Sequence, residues 1–374
     1  MPMLDNFTAM YKEDGGCDEG PGYWDAAGAA LFDSLQTIYD MTDGYVDVFK
    51  DPLIKNMGEY EIKVCINGNR MLNFADCPSR VNPDPALLLR WGKLSDSEMM
   101  YTFGVNRLNG GTCGVNSNGN HASRFFRNIV EPIHEKTDFI APTKFWLDGI
   151  VIAGSRETNA TDKGLYLAFK GGTNAESHNH NDVGTITVFA DGQPIFLDAG
   201  SGRYTRRTFS AERYTIWAMR SDYHNCAMVN GQVQRGGRNE YSCDHYYDPA
   251  TGGLSMQLKN AYPGDAKIDS YVRNAVLDNG MITVTDKLEL TEEGTVDFHF
   301  ICNMLPESVT ATSFVIHGRT VTFSDRLAYN VEPLDKTWPE VEHIPRGWDC
   351  DVLYRVTLKA KKPFRSEIFT LTVS

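Results

Sequence analysis

Hydrophobic and polar positions follow two different rhythms along this chain, and the change falls about a third of the way through. From residue 1 to about 104 the apolar positions recur at intervals of three and four. Trp24, Ala27, Leu31, Leu35 and Ile38 form one stripe, which predicts a helix. A second helix is announced by Asp51-Pro52, carries Leu53, Met57, Tyr60 and Val64 on one face, and stops at Asn67-Gly68. Ser95 with Glu98 three residues later reads as a capping box opening another. No strand alternation interrupts this part, whose length suits about three to five helices, a partial bundle rather than a complete all-α domain.

Gly, Asn and Ser dominate from Asn109 to Asn120, which predicts a junction, with Phe125 to Ile133 as a last helix. After Lys144 the period shortens. Gly149 to Ala153, Leu165 to Phe169, Thr185 to Phe189, Ile282 to Leu290 and Val352 to Leu358 are short runs rich in Val, Ile, Thr and aromatics, separated by Gly, Asp and Asn turns. That pattern predicts a large antiparallel β-sandwich. The expected organisation is α+β and multidomain, with a helical domain over 1–108, a linker and connecting helix over 109–140, and the sandwich over 141–374.

Composition narrows the function. With 374 residues, 41% of them hydrophobic and 23% charged, the chain reads as a folded protein of two domains. No run approaches 18 apolar residues, so a membrane span is not expected. A net charge of −13 argues against a nucleic-acid partner. Met1-Pro2-Met3-Leu4-Asp5 lacks the basic and apolar regions of a signal peptide. Eight cysteines without a CxxC pair read as free thiols, which tilts the expectation towards the cytoplasm. Nothing in the sequence speaks to oligomeric state. Local charge departs from the global balance: Arg203, Arg206, Arg207, Arg213 and Arg220 face a single acid, Glu212, over that stretch, which suggests a place that receives an anion.

The densest chemistry is Ser177-His178-Asn179-His180-Asn181-Asp182, followed by the strand-like run from Thr185 to Leu197, then Asp198, and by Tyr223-His224-Asn225. If the first stretch were a strand, His178, His180 and Asp182 would project to one side. An antiparallel return could bring Asp198 beside them, and His224 could add a further ligand. Two imidazoles and a carboxylate suit a divalent metal of the zinc type, with one imidazole left over for chemistry. A second constellation lies near the start, where Asp14-Gly15-Gly16 and Glu19-Gly20-Pro21-Gly22 deliver Tyr23 and Trp24 to the opening of the first helix.

Together these stretches resemble the heparinase II/III and alginate lyase group of polysaccharide lyases, which join an α/α toroid to an antiparallel β-sandwich. The Asp14 to Tyr23 segment looks like that family's toroid motif, and His178-x-His180, Phe196-Leu197-Asp198-Ala199-Gly200 and Tyr223-His224-Asn225 look like its sandwich motifs. The resemblance makes residues 1–108 a partial toroid, Tyr23 the catalytic tyrosine, His178 the catalytic histidine, and His180, Asp198 and His224 the ligands of a structural zinc. It also implies an acidic, uronate-containing polysaccharide substrate, and relatives that are often periplasmic or secreted. Family enzymes neutralise the substrate carboxylate with an Asn or His some tens of residues before the tyrosine. Only 22 residues precede Tyr23, so a member lacking the first half of its toroid is expected.

β-Elimination requires a base for the C5 proton, an acid for the departing O4 oxygen and stabilisation of the carboxylate. Tyr23 is assigned to proton transfer at O4, and also at C5 when both leave from one face. His178 is assigned as partner base or carboxylate-side stabiliser. Glu19, Trp24, Asn179, Arg203, Tyr204, Tyr214 and Arg220 are the expected substrate contacts. Two other readings compete: a noncatalytic, zinc-braced binding protein for an anionic glycan, and a glycoside hydrolase, which would need paired carboxylates such as Glu13, Asp18 and Glu19.

Overall fold

The computed structural model describes residues 2–110, 122–131 and 134–374. Most of the expected junction, 111–121, lies outside the described residues, as does the end of the predicted helix at 132–133.

Each principal helix begins where a short polar side chain can occupy the free amides of its first turn. Pro52–Lys63 follows Asp51, whose carboxylate accepts the Leu53 amide at 2.9 Å. Pro85–Ser95 follows Asp84, which accepts the Ala86 and Leu87 amides at 3.0 Å each. Glu98–Asn109 is capped by Ser97, which accepts from the Met100 amide at 3.4 Å. The expected capping box on Ser95 is thus displaced by two residues: Ser95 ends the preceding helix and donates to the Trp91 carbonyl. The first long helix is Gly28–Met41, because residues 20–27 form successive turns that bring Tyr23 and Trp24 in before it starts. A small antiparallel hairpin, Cys65–Asn67 with Arg70–Met71, interrupts the helices where no strand was expected. A further helix, Ala122–Ile129, overlaps the one predicted over Phe125 to Ile133, starting three residues earlier and ending at Ile129.

The strands of the rest of the chain pair antiparallel, with short 3₁₀ turns and one helical turn, Ile344–Gly347, between them. Five strands, Lys144–Leu147, Ile152–Arg156, Leu165–Lys170, Ile186–Ala190 and Gln193–Phe196, pair in chain order. A seven-stranded sheet is centred on the long strands Ile268–Asp278, Met281–Gly294 and Phe364–Val373. A four-stranded sheet contains Val296–Cys302 and Tyr354–Ala360. The single run expected from Thr185 to Leu197 is instead a hairpin, reversed at Asp191-Gly192, where both residues have positive φ.

Alternation along Leu165–Lys170 shows how the parts join. Leu165, Leu167 and Phe169 enter a core shared with the two larger sheets, including Tyr271, Ala275, Phe298 and Leu358. Tyr166 and Ala168 point the other way, into a core shared with Trp24, Phe32, Met57 and Trp91 of the helical part. Every residue of that strand is buried, which an antiparallel sheet shows only when both faces are covered. The second core therefore joins residues of both expected domains, and the candidate site lies along that seam. No helix among the described residues is long and apolar enough to cross a membrane. Cys17, Cys65, Cys77, Cys226, Cys243, Cys302 and Cys350 are free.

Candidate active site

Four side chains converge on one carboxylate that sequence reasoning missed. Asp76 follows Ala75, which has φ +53, in the loop between the small hairpin and Pro85–Ser95. Its side chain is fully buried. Oδ2 lies 2.9 Å from His178 Nδ1 and accepts from the Tyr204 hydroxyl, also at 2.9 Å. Oδ1 lies 3.1 Å from His180 Nε2 and accepts from Arg213 Nη2 at 2.9 Å. Burial opposes ionisation, but the bonds from His180, Arg213 and His178 outweigh it and hold the Asp76 carboxyl well below its usual range.

The histidine stretch is not a strand. His178 adopts φ +56, a left-handed turn that a non-glycine residue holds only when its surroundings impose it. Arg213 supplies that restraint, donating from Nη2 to the His178 carbonyl at 3.0 Å and from Nε to the Asn179 carbonyl at 3.1 Å. The turn separates the two imidazoles: the His178 side chain is 27% exposed, whereas that of His180 is fully buried. Asp182, expected beside them, turns instead to Lys170, which donates to it at 2.8 Å. The same buried ammonium also lies 3.1 Å from Glu176, so the Asp182 carboxylate is held in an interior ion pair instead of standing as an unpaired charge.

Tyr23 reaches this group from the helical part. Gly20 has φ +84, and a Cβ there would lie 2.6 Å from the Phe74 carbonyl oxygen, so only glycine lets the Tyr23 loop rest on the segment carrying Asp76. The Tyr23 ring stacks on His178 with centroids 4.2 Å apart and planes at 26°. Its hydroxyl is 2.5 Å from the Tyr204 hydroxyl. Partial burial, and then the bonds to Tyr23 and the charge of Asp76, push the Tyr204 phenol upward, so Tyr204 is a proton donor at neutral pH.

Behind His178 lies a second cluster. His180, Asp198 and His224 are buried, and one ligand atom from each falls within 4.8 Å of the others. Asp198 follows directly on the strand Gln193–Phe196 and Leu197, and accepts the Gly200 amide at 2.8 Å. His224 ends a short 3₁₀ turn, Ser221–Tyr223, and its Nδ1 lies 2.7 Å from Asp198 Oδ2. Burial works against a charged His224, but Asp198 outweighs it and shifts the imidazole upward, while Asp198 itself is shifted downward. His180 Nδ1 and His224 Nε2 are buried and have no hydrogen-bond partner. Buried nitrogens left without a partner beside a carboxylate are what a divalent cation of the zinc type would satisfy, so the residues fit such an ion.

The other expected contacts separate. Tyr204 joins the centre. Asn179 donates to the Tyr214 hydroxyl at 3.2 Å, next to it. Glu19 lines an adjoining cavity of about 430 Å³ with Cys17, Glu176 and Ser177. Trp24 is a core residue, 1% exposed, with Nε1 donating to the Met57 carbonyl, which corrects its expected place at the substrate surface. Within the arginine run, Arg220 is engaged by Asp222 through two bonds of 3.0 and 2.9 Å. Arg203 is largely exposed, 3.5 Å from Glu342. Arg213 is tied to Asp76, so much of the run's positive charge is already balanced within the protein. No local spacing could have revealed Asp76, which stands 102 residues before His178.

Residues 155–339 match the family model described as heparinase II/III-like, C-terminal. That span, just under half of the chain, is similar to the C-terminal region of the heparinase II/III-like family. A solved heparinase III with methylated lysines is similar over 100% of this chain and 53% of its own length, at a TM-score of 0.72 and 15% identity. A heparan sulfate lyase mutant from Pedobacter heparinus is similar over 100% and 55%, with a TM-score of 0.71 and 15% identity. Another heparinase III structure is similar over 100% and 56%, with a TM-score of 0.66 and 12% identity. The chain thus spans about half the length of the structures it matches, and at these identities the likeness is one of fold. No curated protein sequence matches it.

Proposed function

We propose that this protein is a polysaccharide lyase that cleaves an acidic, uronate-containing polysaccharide by β-elimination, with its helical part forming part of an α/α toroid. The observation that carries the reading is the stacked Tyr23–His178 pair, contributed from opposite sides of the seam and bound to one hydrogen-bonded group. A phenol and an imidazole in contact are an acid and a base that can act on the same sugar.

In the proposed reaction His178, its Nδ1 held at Asp76, takes the C5 proton at Nε2. The C5–H electron pair forms the C4=C5 double bond as the C4–O4 bond breaks. Tyr23 gives its hydroxyl proton to the departing O4, and Tyr204, 2.5 Å away, turns its one hydroxyl hydrogen from Asp76 to the phenolate that remains. Both groups then exchange their protons with solvent. For the epimer whose C5 proton and O4 leave from one face, Tyr23 serves both positions and His178 stands on the carboxylate side. Zinc held by His180, Asp198 and His224 would supply structural bracing for the turn that carries His178.

The test is digestion of a panel of glycosaminoglycans, alginate and bacterial exopolysaccharides by the full chain, following ultraviolet absorbance of the unsaturated uronate and new reducing ends together. Both should rise in equal amount. Reducing ends without absorbance would mean hydrolysis, and retention of glycan without product would mean binding alone.

A further inference from the structure

We infer that Asp76 is a positioning residue that locks the two histidines of the site in opposite tautomers. His178 carries its proton on Nδ1 and presents Nε2 to the cleft, whereas His180 carries its proton on Nε2 and presents Nδ1 to Asp198 and His224. The assignment rests on hydrogen-bond accounting. A carboxylate paired with a guanidinium only accepts, and its two oxygens offer about four lone-pair directions. Asp76 has four neighbours at bonding distance: His178 Nδ1 and the Tyr204 hydroxyl on Oδ2, and His180 Nε2 and Arg213 Nη2 on Oδ1. Each of the four must therefore bring a hydrogen.

The opposite tautomers would set a nitrogen lone pair against a carboxylate oxygen at 2.9 Å for His178 and 3.1 Å for His180. They would also leave a buried N–H on His180 Nδ1, an atom with no acceptor in reach. Among the neutral forms of the two rings, only the stated arrangement satisfies the whole set. Asp76 thus does from the helical part what neither histidine's own loop can do: it directs one lone pair outward and the other inward. The Asp76–Arg213 pair also holds the left-handed turn between them, since the same guanidinium bonds the His178 and Asn179 carbonyls. The inference depends on the proposed lyase reading only for the use made of the His178 lone pair.

The experiment is long-range proton–nitrogen NMR on the full chain labelled at histidine and stripped of metal by chelation, with resonances assigned from His178→Gln and His180→Gln. The expected spectrum shows Nδ1–H for His178 and Nε2–H for His180. Either ring in the other tautomer overturns the inference, whether or not any variant folds. In Asp76→Asn the side chain keeps one accepting oxygen and gains a donor, so at least one ring should lose its fixed tautomer. Zinc titrated into that variant should bind about 10- to 100-fold more weakly. A folded Asp76→Asn with both tautomers and zinc affinity unchanged would also overturn it. Expected tautomers in a chain that forms no unsaturated product would sink the lyase reading and leave this one standing.

Discussion

Replacing Glu176 by Gln should stabilise the protein progressively as the pH rises, although Glu176 is an ion-pair partner. Lys170 Nζ lies 3.1 Å from Glu176 Oε2 and 2.8 Å from Asp182 Oδ1, and the three side chains are 3%, 9% and 1% exposed. Burial is the largest influence on Glu176 and raises it; Lys170 lowers it, and the like charge of Asp182 raises it again, leaving the carboxyl pushed up to about 7 from an ordinary 4.5. A carboxyl raised on folding contributes stability fully below its unfolded value and loses it as the pH climbs through the folded one. The window here is 4.5 to about 7. At about 1.36 kcal/mol for each tenfold change in proton affinity, the full swing is about 3 kcal/mol. Gln does not titrate, so any constant difference in hydrogen bonding cancels when the two proteins are compared at two pH values. Denaturant unfolding of both at pH 5 and pH 8 should show the Gln form gaining about 2 to 3 kcal/mol relative to the Glu form between them. Parallel pH dependences would refute the reasoning and make Glu176 an ordinary charged partner of Lys170.

Tyr23→Phe removes one partly exposed hydrogen bond, worth about 1 kcal/mol or less, yet should lower turnover about 10²- to 10⁴-fold, with metal content unchanged by elemental analysis. Retained turnover would remove Tyr23 from the chemistry. His180→Ala should abolish stoichiometric zinc and leave a melting temperature no longer sensitive to a chelator, whereas the parent should melt lower when chelated. Arg273→Met would strand Asp286, which Arg273 contacts at 2.6 Å, and release the Gly184 and Asn225 carbonyls that it holds at 2.8 Å. A loss of about 3 to 5 kcal/mol in unfolding free energy is expected.

Much of the architecture was legible because the periods are physical: intervals of three and four predicted the helices at Gly28–Met41 and Pro52–Lys63, and short β-branched runs predicted the sheets. Errors arose where tertiary contacts overrode local pattern. Ser95 and Glu98 have the spacing of a capping box, but the chain turns between them at Asp96, in the left-handed region, and Ser97 takes the cap. Alternation over 177–182 suggested one ligand face, but Arg213 and Asp76 hold a turn there. Within the site, His180, Asp198 and His224 come together as their types and order suggested. Asp76 was invisible because its meaning lies in four partners distant in sequence. Trp24 was misplaced because an aromatic beside a glycine loop looks the same in sequence whether it anchors a core or lines a cleft.

The most direct test of the central claim is mass spectrometry of a defined uronate oligosaccharide after cleavage by the full chain. Elimination adds no water, so the masses of the two products should sum to that of the substrate, with the new non-reducing uronate one water lighter than its saturated counterpart. Products that together exceed the substrate by one water would contradict the account and assign the protein to hydrolysis.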